Sequence, residues 1–381
     1  MEKNKIELRG VEFHNKGAHL MMAAIFDQFK QRNIEVSYVM ERKGNSPIRK
    51  HRELGIYTKF KFRKFEGIVK ILSSLIPSYF FNLFGFVKES QVNIVLDGSG
   101  FAFGDKWGVK KSENRLGSHV KEWKTQGKKI ILLPQAFGPF TDNDLKKSIG
   151  KIIKYADLIF ARDPISQKHL TNICNNNNIK IAPDFTILIN GEIPEYYKYD
   201  LHEVAIIPNH KMFDTNSKLS KDQYYKFIIH CVEVILGKGM KPYFLIHEGE
   251  LDYSIANQVN SRLQNSIPIL YDSDPVKVKG IIKASKAVIT SRFHGLVSAL
   301  SQGVPTLTTS WSHKYEMLLK DYNYEEALCD TSDLNEVTVK INRITNRKNS
   351  EQISNSLKIY SEQQKIKVLK MWDMVFKQID L

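Results

Sequence analysis

The strongest constraint on the fold is a repeated unit: a short apolar run, a polar or glycine turn, then a helical stripe. Residues 6–13 alternate like a strand. Asn15-Lys16-Gly17-Ala18 follows, and Leu20, Met21, Ala24, Ile25 and Phe29 then share one helical face. Residues 34–40 read as the next strand. The spacing predicts further strands at 92–96, 128–133, 157–161 and 179–182, with a helix over 146–155. Around 189–201 the pattern breaks, and Asn190-Gly191, Pro194 and the tyrosine-rich 196–199 read as a linker. A second series follows. Its strands are expected at 204–207, 243–246, 268–271, 287–290 and 305–308. Its helices are expected at 220–236, 251–263, 276–284, 313–319 and 335–345. Apolar β-branched runs separated by helices specify parallel sheets covered on both faces.

Two such series in 381 residues predict two α/β domains, 1–190 and 202–346. Segment 350–381 is expected to be helical. Its apolar face of Ile366, Leu369, Met371, Trp372, Val375, Phe376 and Ile379 needs a partner surface, so it is expected to pack back across the domains. The expected fold class is α/β, with two Rossmann-like domains facing across a cleft, an architecture that resembles the GT-B glycosyltransferases. The turn at Asn15 is not G-x-G-x-x-G, so the dinucleotide fingerprint is absent. No P-loop and no G-x-S-x-G elbow occurs.

Composition narrows the partners. The net charge of +15 favours something anionic: a nucleic acid, an acidic membrane surface or an anionic substrate. No recognition motif supports nucleic acid, so no nucleic-acid partner is expected. Cys174, Cys231 and Cys329 lie far apart, which points to a reducing compartment. The first residues lack the apolar stretch of a signal peptide. A cytoplasmic protein is expected. Residues 69–87 are apolar but interrupted by Lys70, Pro77 and Asn82. Residues 59–65 before them interleave cations with aromatics. Segment 59–87 therefore reads as either a buried helix beside a basic loop or a peripheral contact with an anionic membrane, on the inner face of the cell membrane. The histidines show no metal-ligand spacing, and no metal site is expected.

The chemistry concentrates at Ser291-Arg292-Phe293-His294-Gly295, between a predicted strand and a predicted helix. Helix N-termini present free N–H groups to anions, Arg can grip a carboxylate or phosphate bidentately, and His moves protons near neutral pH. Gly303-Val304-Pro305 and Lys314 follow. Asn15-Lys16-Gly17, Asp97-Gly98-Ser99-Gly100, Gln135 with Gly138-Pro139, Ala161-Arg162-Asp163 with Ser166, and Pro183-Asp184 precede. In this order the turns resemble the polysaccharide pyruvyl transferases over most of the chain. The chain departs from the family at Ala18-His19, where an acidic pair is frequent, and at Asp97–Gly100, where a Gly-Gly-Gly run is frequent.

The resemblance implies transfer of a pyruvyl group from phosphoenolpyruvate to saccharide hydroxyls as a ketal, in cell-surface polysaccharide biosynthesis. The alternative is a GT-B glycosyltransferase using a nucleotide sugar. No cofactor is implied beyond phosphoenolpyruvate as co-substrate, and the implied acceptor is a saccharide or lipid-linked oligosaccharide. Under this reading His294, Arg292 and Arg162 are catalytic. Arg292, Arg162, Lys314, Gly295 and Ser291 are the implied donor-binding residues. Asn15, Gly17, Asp97, Gln135 and Asp184 bind the acceptor. Asp105 and Asp163 are further candidates for sugar hydroxyls. His247 and Glu248 also sit at a strand end, where they either line the cleft or, as the expected reading, form a structural pair.

Overall fold

The computed structural model describes residues 4–60, 76–213, 220–310 and 312–380. The chain forms two units. The first comprises 1–14, 21–184 and 369–381, and the second 15–20 and 185–368.

The first unit is built on a parallel sheet of nine strands among the described residues. They are β1 (Lys5–Arg9), β2 (Ser37–Met40), β3 (Tyr57–Lys59), β4 (Phe86–Val87), β5 (Ile94–Asp97), β6 (Phe101–Phe103), β7 (Lys129–Phe137), β8 (Leu158–Ala161) and β9 (Ile179–Ile181). Their order is β4-β3-β2-β1-β5-β7-β8-β9, with β6 beside β7. Strands β5, β7 and β8 are buried on both faces, which is why they read as continuous apolar runs. Strand β1 is different. It alternates charged and apolar residues, yet all five are buried. Glu7 is fully buried and accepts hydrogen bonds from Arg9 at 2.6 Å and Lys59 at 2.7 Å. The alternation that suggests a half-wet strand here records an internal ion-pair chain. Three short elements escaped the sequence pattern. β3 and β4 flank the 59–87 segment, and β6 lies inside the glycine-rich 97–105 stretch, pairing with β7.

The second unit carries a five-stranded parallel sheet: β10 (Val204–Ile207), β11 (Pro242–Ile246), β12 (Ile269–Tyr271), β13 (Ala287–Thr290) and β14 (Thr306–Thr308). Their order is β12-β11-β10-β13-β14. The helices expected between them are present. Ser220 caps helix Lys221–Gly237 with a reciprocal Gln223 contact, and Asp274 caps helix Pro275–Ala284. The expected linker is partly packed rather than free. Glu192 N donates to Val276 O, and a Cβ on Gly280 would sit 1.8 Å from the Glu192 carbonyl oxygen.

The C-terminal segment is one helix, Arg347–Ile379. In the second unit Ser361 and Gln364 donate to the carbonyls of Ser301 and Asp321. In the first unit Phe376 packs edge-on against Phe29 at 4.8 Å, and Asp373 pairs with Arg32 at 2.8 Å. Met371, Trp372, Val375, Phe376 and Ile379 are buried as expected, whereas Ile366 and Leu369 are exposed. No helix among the described residues is long and apolar enough to cross a membrane. Most of the basic-aromatic stretch, residues 61–75, lies outside the described residues. Lys59 belongs to no basic collar: it is buried, paired with Glu7 and Glu89.

Candidate active site

Strand β13 hands the chain to helix Phe293–Leu300 through Ser291 and Arg292, and the turn is fixed from several sides. The Ser291 hydroxyl accepts from the hydroxyls of Tyr224 and Thr309, both at 2.8 Å. The Ser291 carbonyl accepts from Asn209 Nδ2 at 2.8 Å and Tyr315 Oη at 2.9 Å. The Ser291 N–H donates to the Ile207 carbonyl at 3.0 Å, so every polar atom of this residue has a partner within the protein. Gly295 is required by close packing: a Cβ there would stand 2.6 Å from Thr290 Oγ1. Its role is the tight approach of strand and helix.

Arg292 departs most from the sequence expectation. It is buried, its terminal nitrogens donate to Glu248 and Asp252, and one of them lies 3.1 Å from His210 Nδ1. The fork that would grip a substrate carboxylate is already taken by two protein carboxylates. Burial lowers the guanidinium pKa, but Asp252 and Glu248 more than compensate, so the charge is locked on. Burial likewise pushes the Asp252 carboxyl up. Hydrogen bonds from His210 and the charge of Arg292 outweigh it and hold the carboxyl below its usual range. Sequence reasoning missed Asp252, and weighed His210 only as a metal ligand. It also paired Glu248 with His247, whereas Glu248 pairs with Arg292.

His294 occupies the first turn of the helix. Its imidazole lies directly over Gly17, where a Cβ would come within 2.2 Å of Nδ1 and 2.6 Å of Cγ. Gly17 is therefore part of the histidine's seat. Asn15 accepts from the backbone N–H groups of Gly17 and Ala18, at 2.9 and 3.2 Å, as an ordinary helix cap. Its side-chain oxygen is committed to that cap. Beside it, Lys16 donates to the Ser273 carbonyl at 3.1 Å and lies 5.0 Å above the Tyr271 ring. Lys314 opens helix Lys314–Asp321. Its ammonium is 5.0 Å from the Phe293 ring, so it stands against the same turn.

His247, at the end of β11, is the residue the sequence undervalued. It is almost wholly buried, and its Nδ1 has no hydrogen-bond partner among the described residues. Burial, then the charges of Arg292 and His294, push its pKa down to about 3, so it is a neutral imidazole at physiological pH. The second unit thus brings together a turn histidine, a neutral buried histidine and cations at Lys16 and Lys314. Such a set can move a proton at an anionic substrate.

The first unit holds the remaining expected residues, at its own strand ends. Gln135 Nε2 donates to Asp97 Oδ1 at 3.0 Å, and Ser99 N donates to the same oxygen at 3.2 Å. Asp97 and Gln135 are both fully buried, and Asp97 Oδ2 and Gln135 Oε1 have no hydrogen-bond partner among the described residues. Arg162 donates to Asp184 at 3.0 Å, and both are buried. That ion pair occupies a group expected to bind donor and one expected to bind acceptor. Asp163 caps helix Pro164–Thr171 through Ser166, and Asp105 accepts from the N–H and hydroxyl of Thr141. Sequence alone could not supply the Asp97–Gln135, Arg162–Asp184 and Asp105–Thr141 pairings, because their members come from different strands or loops, whereas the Asp163 cap on Ser166 is local.

Solved structures share this fold. HepE from Anabaena, in complex with UDP-glucose, is 13% identical with a TM-score of 0.61, covering 99% of each chain. The UDP-N-acetylglucosamine 2-epimerase named for Listeria monocytogenes is 11% identical with a TM-score of 0.61, covering 99% of this chain and 97% of that one. A glycosyltransferase from Rickettsia africae is 13% identical with a TM-score of 0.60, covering 100% and 99%. At these identities the likeness establishes a GT-B-like α/β fold of two Rossmann-like domains. No curated protein matches the sequence. The sequence profile of polysaccharide pyruvyl transferases matches residues 15–313, from the Asn15 cap through the Ser291–Gly295 turn, and the chain belongs to the polysaccharide pyruvyl transferase family.

Proposed function

We propose that the protein transfers a pyruvyl group from phosphoenolpyruvate to two hydroxyls of a saccharide, forming a ketal. The observation that carries this is the seating of the His294 imidazole on Gly17 at a helix N-terminus, beside Lys16 and Lys314, in a member of this family. The donor's carboxylate and phosphate are matched by those two ammonium groups and the helix N–H groups. His294 delivers a proton to the methylene carbon as a sugar oxygen attacks the adjacent carbon. The C–O bond to phosphate breaks, and the second hydroxyl closes the ketal. Of the two hydroxyl protons, one replaces the proton given by His294 and one leaves with phosphate. Arg292, its fork held by Asp252 and Glu248, fixes the turn that carries His294.

The reading is tested by incubating the protein with phosphoenolpyruvate and candidate saccharides. Phosphate release with a pyruvylated product is expected, and both disappear in His294→Ala. The alternative is a nucleotide-sugar glycosyltransferase, motivated by the UDP-glucose in the HepE structure. Nucleotide release from a sugar nucleotide, with indifference to phosphoenolpyruvate, would establish that alternative instead.

The helix Ser78–Leu83 and its flanks expose Ile76, Tyr79, Phe80, Leu83 and Phe84 together. On a +15 chain this apolar group suits peripheral attachment to an anionic bilayer where lipid-linked acceptors reside. Flotation with anionic vesicles, abolished by Phe80→Ser/Phe84→Ser, is the expected result. Unchanged flotation of that variant would remove this contact from the proposal.

A further inference from the structure

The first unit carries a second concentration of positive charge, on side chains not discussed so far. An open pocket of about 360 Å³ is lined by Lys43, Trp107, Lys110, Lys111, Asn114 and Arg115. Four of these six are cations, and no carboxylate lines it among the described residues. Lys43 has one acidic neighbour, Glu41 at 3.4 Å. Lys110 and Arg115 have no carboxylate within ion-pair distance among the described residues. The backbone is shaped to make the pocket. Helix Gly108–Ser112 passes into a π-helical turn, Glu113–Gly117, which carries Asn114 and Arg115. Such turns recur where side chains must be re-aimed for function.

Two further observations point to a missing anion. The Trp107 indole N–H is buried and has no acceptor among the described residues. Lys43 is held below its ordinary pKa by burial and by the charges of Arg115 and Arg9, a repulsion that a bound anion relieves. Arg9 ties the pocket to the sheet edge. It donates to the Asn114 carbonyl at 3.1 Å and lies in register with Asp97 across β1 and β5. The pocket therefore opens at the C-terminal ends of the strands, where α/β sheets bind ligands.

We infer that Lys43, Lys110, Lys111 and Arg115, with the Trp107 indole N–H, form an anion subsite for the phosphate groups of a phosphorylated saccharide. Lys110 and Arg115, with no carboxylate at ion-pair distance among the described residues, and Lys43 beside them ask for more than one negative charge. The volume exceeds what a single phosphate fills. Lys111 lies 3.8 Å from the Trp107 ring, so the indole and ammonium are already organised as one wall. That the saccharide is the acceptor rests on the transferase reading above; the binding of phosphate groups does not.

The test is calorimetric titration of the full chain with inorganic diphosphate, glucose 1-phosphate, glucose and phosphoenolpyruvate. Diphosphate and glucose 1-phosphate are expected to bind, more weakly as salt rises, and glucose is expected not to. Lys110→Ala/Arg115→Ala removes two charge-assisted contacts and is expected to weaken diphosphate binding by about 100-fold. Both side chains are at the surface, and an unchanged melting curve verifies folding. Undiminished diphosphate binding in that variant overturns the subsite. Phosphoenolpyruvate competing with diphosphate in the parent, with that competition lost in the variant, makes the pocket a donor site and overturns the saccharide assignment. Diphosphate binding without any phosphoenolpyruvate turnover sinks the transferase reading and leaves the subsite standing. Turnover with equal kcat/KM for phosphorylated and neutral acceptors, in parent and variant alike, does the reverse.

Discussion

Gly17→Ala separates the catalytic reading of His294 from a structural one. The new Cβ would lie 2.2 Å from Nδ1 and 2.9 Å from Cε1 of the imidazole. An ordinary contact is about 3.5 Å, so the ring must move by roughly 1 Å. The backbone does not resist, because Gly17 lies in a helix without positive φ, and Ala there gains about 0.5–1 kcal/mol of helix propensity. Displacing a ring at the low end of overpacking costs about 1 kcal/mol. The two nearly cancel, so the melting temperature should barely shift. Activity should not survive as well: a 1 Å misplacement of a reacting group costs about 100-fold. The assay is phosphate release from phosphoenolpyruvate in parallel with calorimetric melting. A stability cycle adds a control, since Gly17→Ala in a His294→Ala background should stabilise by about 0.5–1 kcal/mol once the clash is gone. Full activity of Gly17→Ala, or no difference between the two backgrounds, would refute the reasoning.

Three more predictions follow from the same residues. Arg292→Ala leaves Asp252 and Glu248 without their cation, Asp252 fully buried, and should destabilise by about 3–5 kcal/mol in urea unfolding; Arg292→Lys should rescue little, since one ammonium cannot replace a fork. His247 has a folded-state pKa lowered from 6.5 to about 3, so the unfolded chain binds the extra proton between those values. Its contribution is complete above about 6.5 and is lost as pH falls, at about 1.4 kcal/mol per unit, and that part of the acid slope should vanish in His247→Gln. Gly280→Ala places a Cβ 1.8 Å from the Glu192 carbonyl oxygen, a backbone atom that cannot rotate away. A loss of about 1–3 kcal/mol in melting or urea experiments is expected.

Much of the fold was legible because parallel strands covered on both faces must be apolar throughout. β5, β8, β10, β11 and β13 announce themselves, as do helices capped by Ser220 and Asp274. The failures have two causes. β3, β4 and β6 span two or three residues each, too short for a period to register. β1 carries Lys5, Glu7 and Arg9 on its buried positions, and no local pattern says that Lys59 will meet Glu7.

The turn at Ser291–Gly295 was visible in the sequence as a strand-to-helix junction with an arginine and a histidine. Its roles were not. Local sequence determines that a turn exists and that Gly295 can tolerate a close neighbour. Whether a guanidinium is available depends on which carboxylates fold onto it, and Asp252 and Glu248 arrive from another strand and helix. The same holds for Arg162, taken by Asp184, and for His247, neutral because the tertiary fold buries it beside positive charge. Charge state and availability are long-range electrostatic properties, set by burial and partners distant along the chain. The sequence named the groups, and the tertiary structure decided that His294 is seated on Gly17 while Arg292 is held by Asp252 and Glu248.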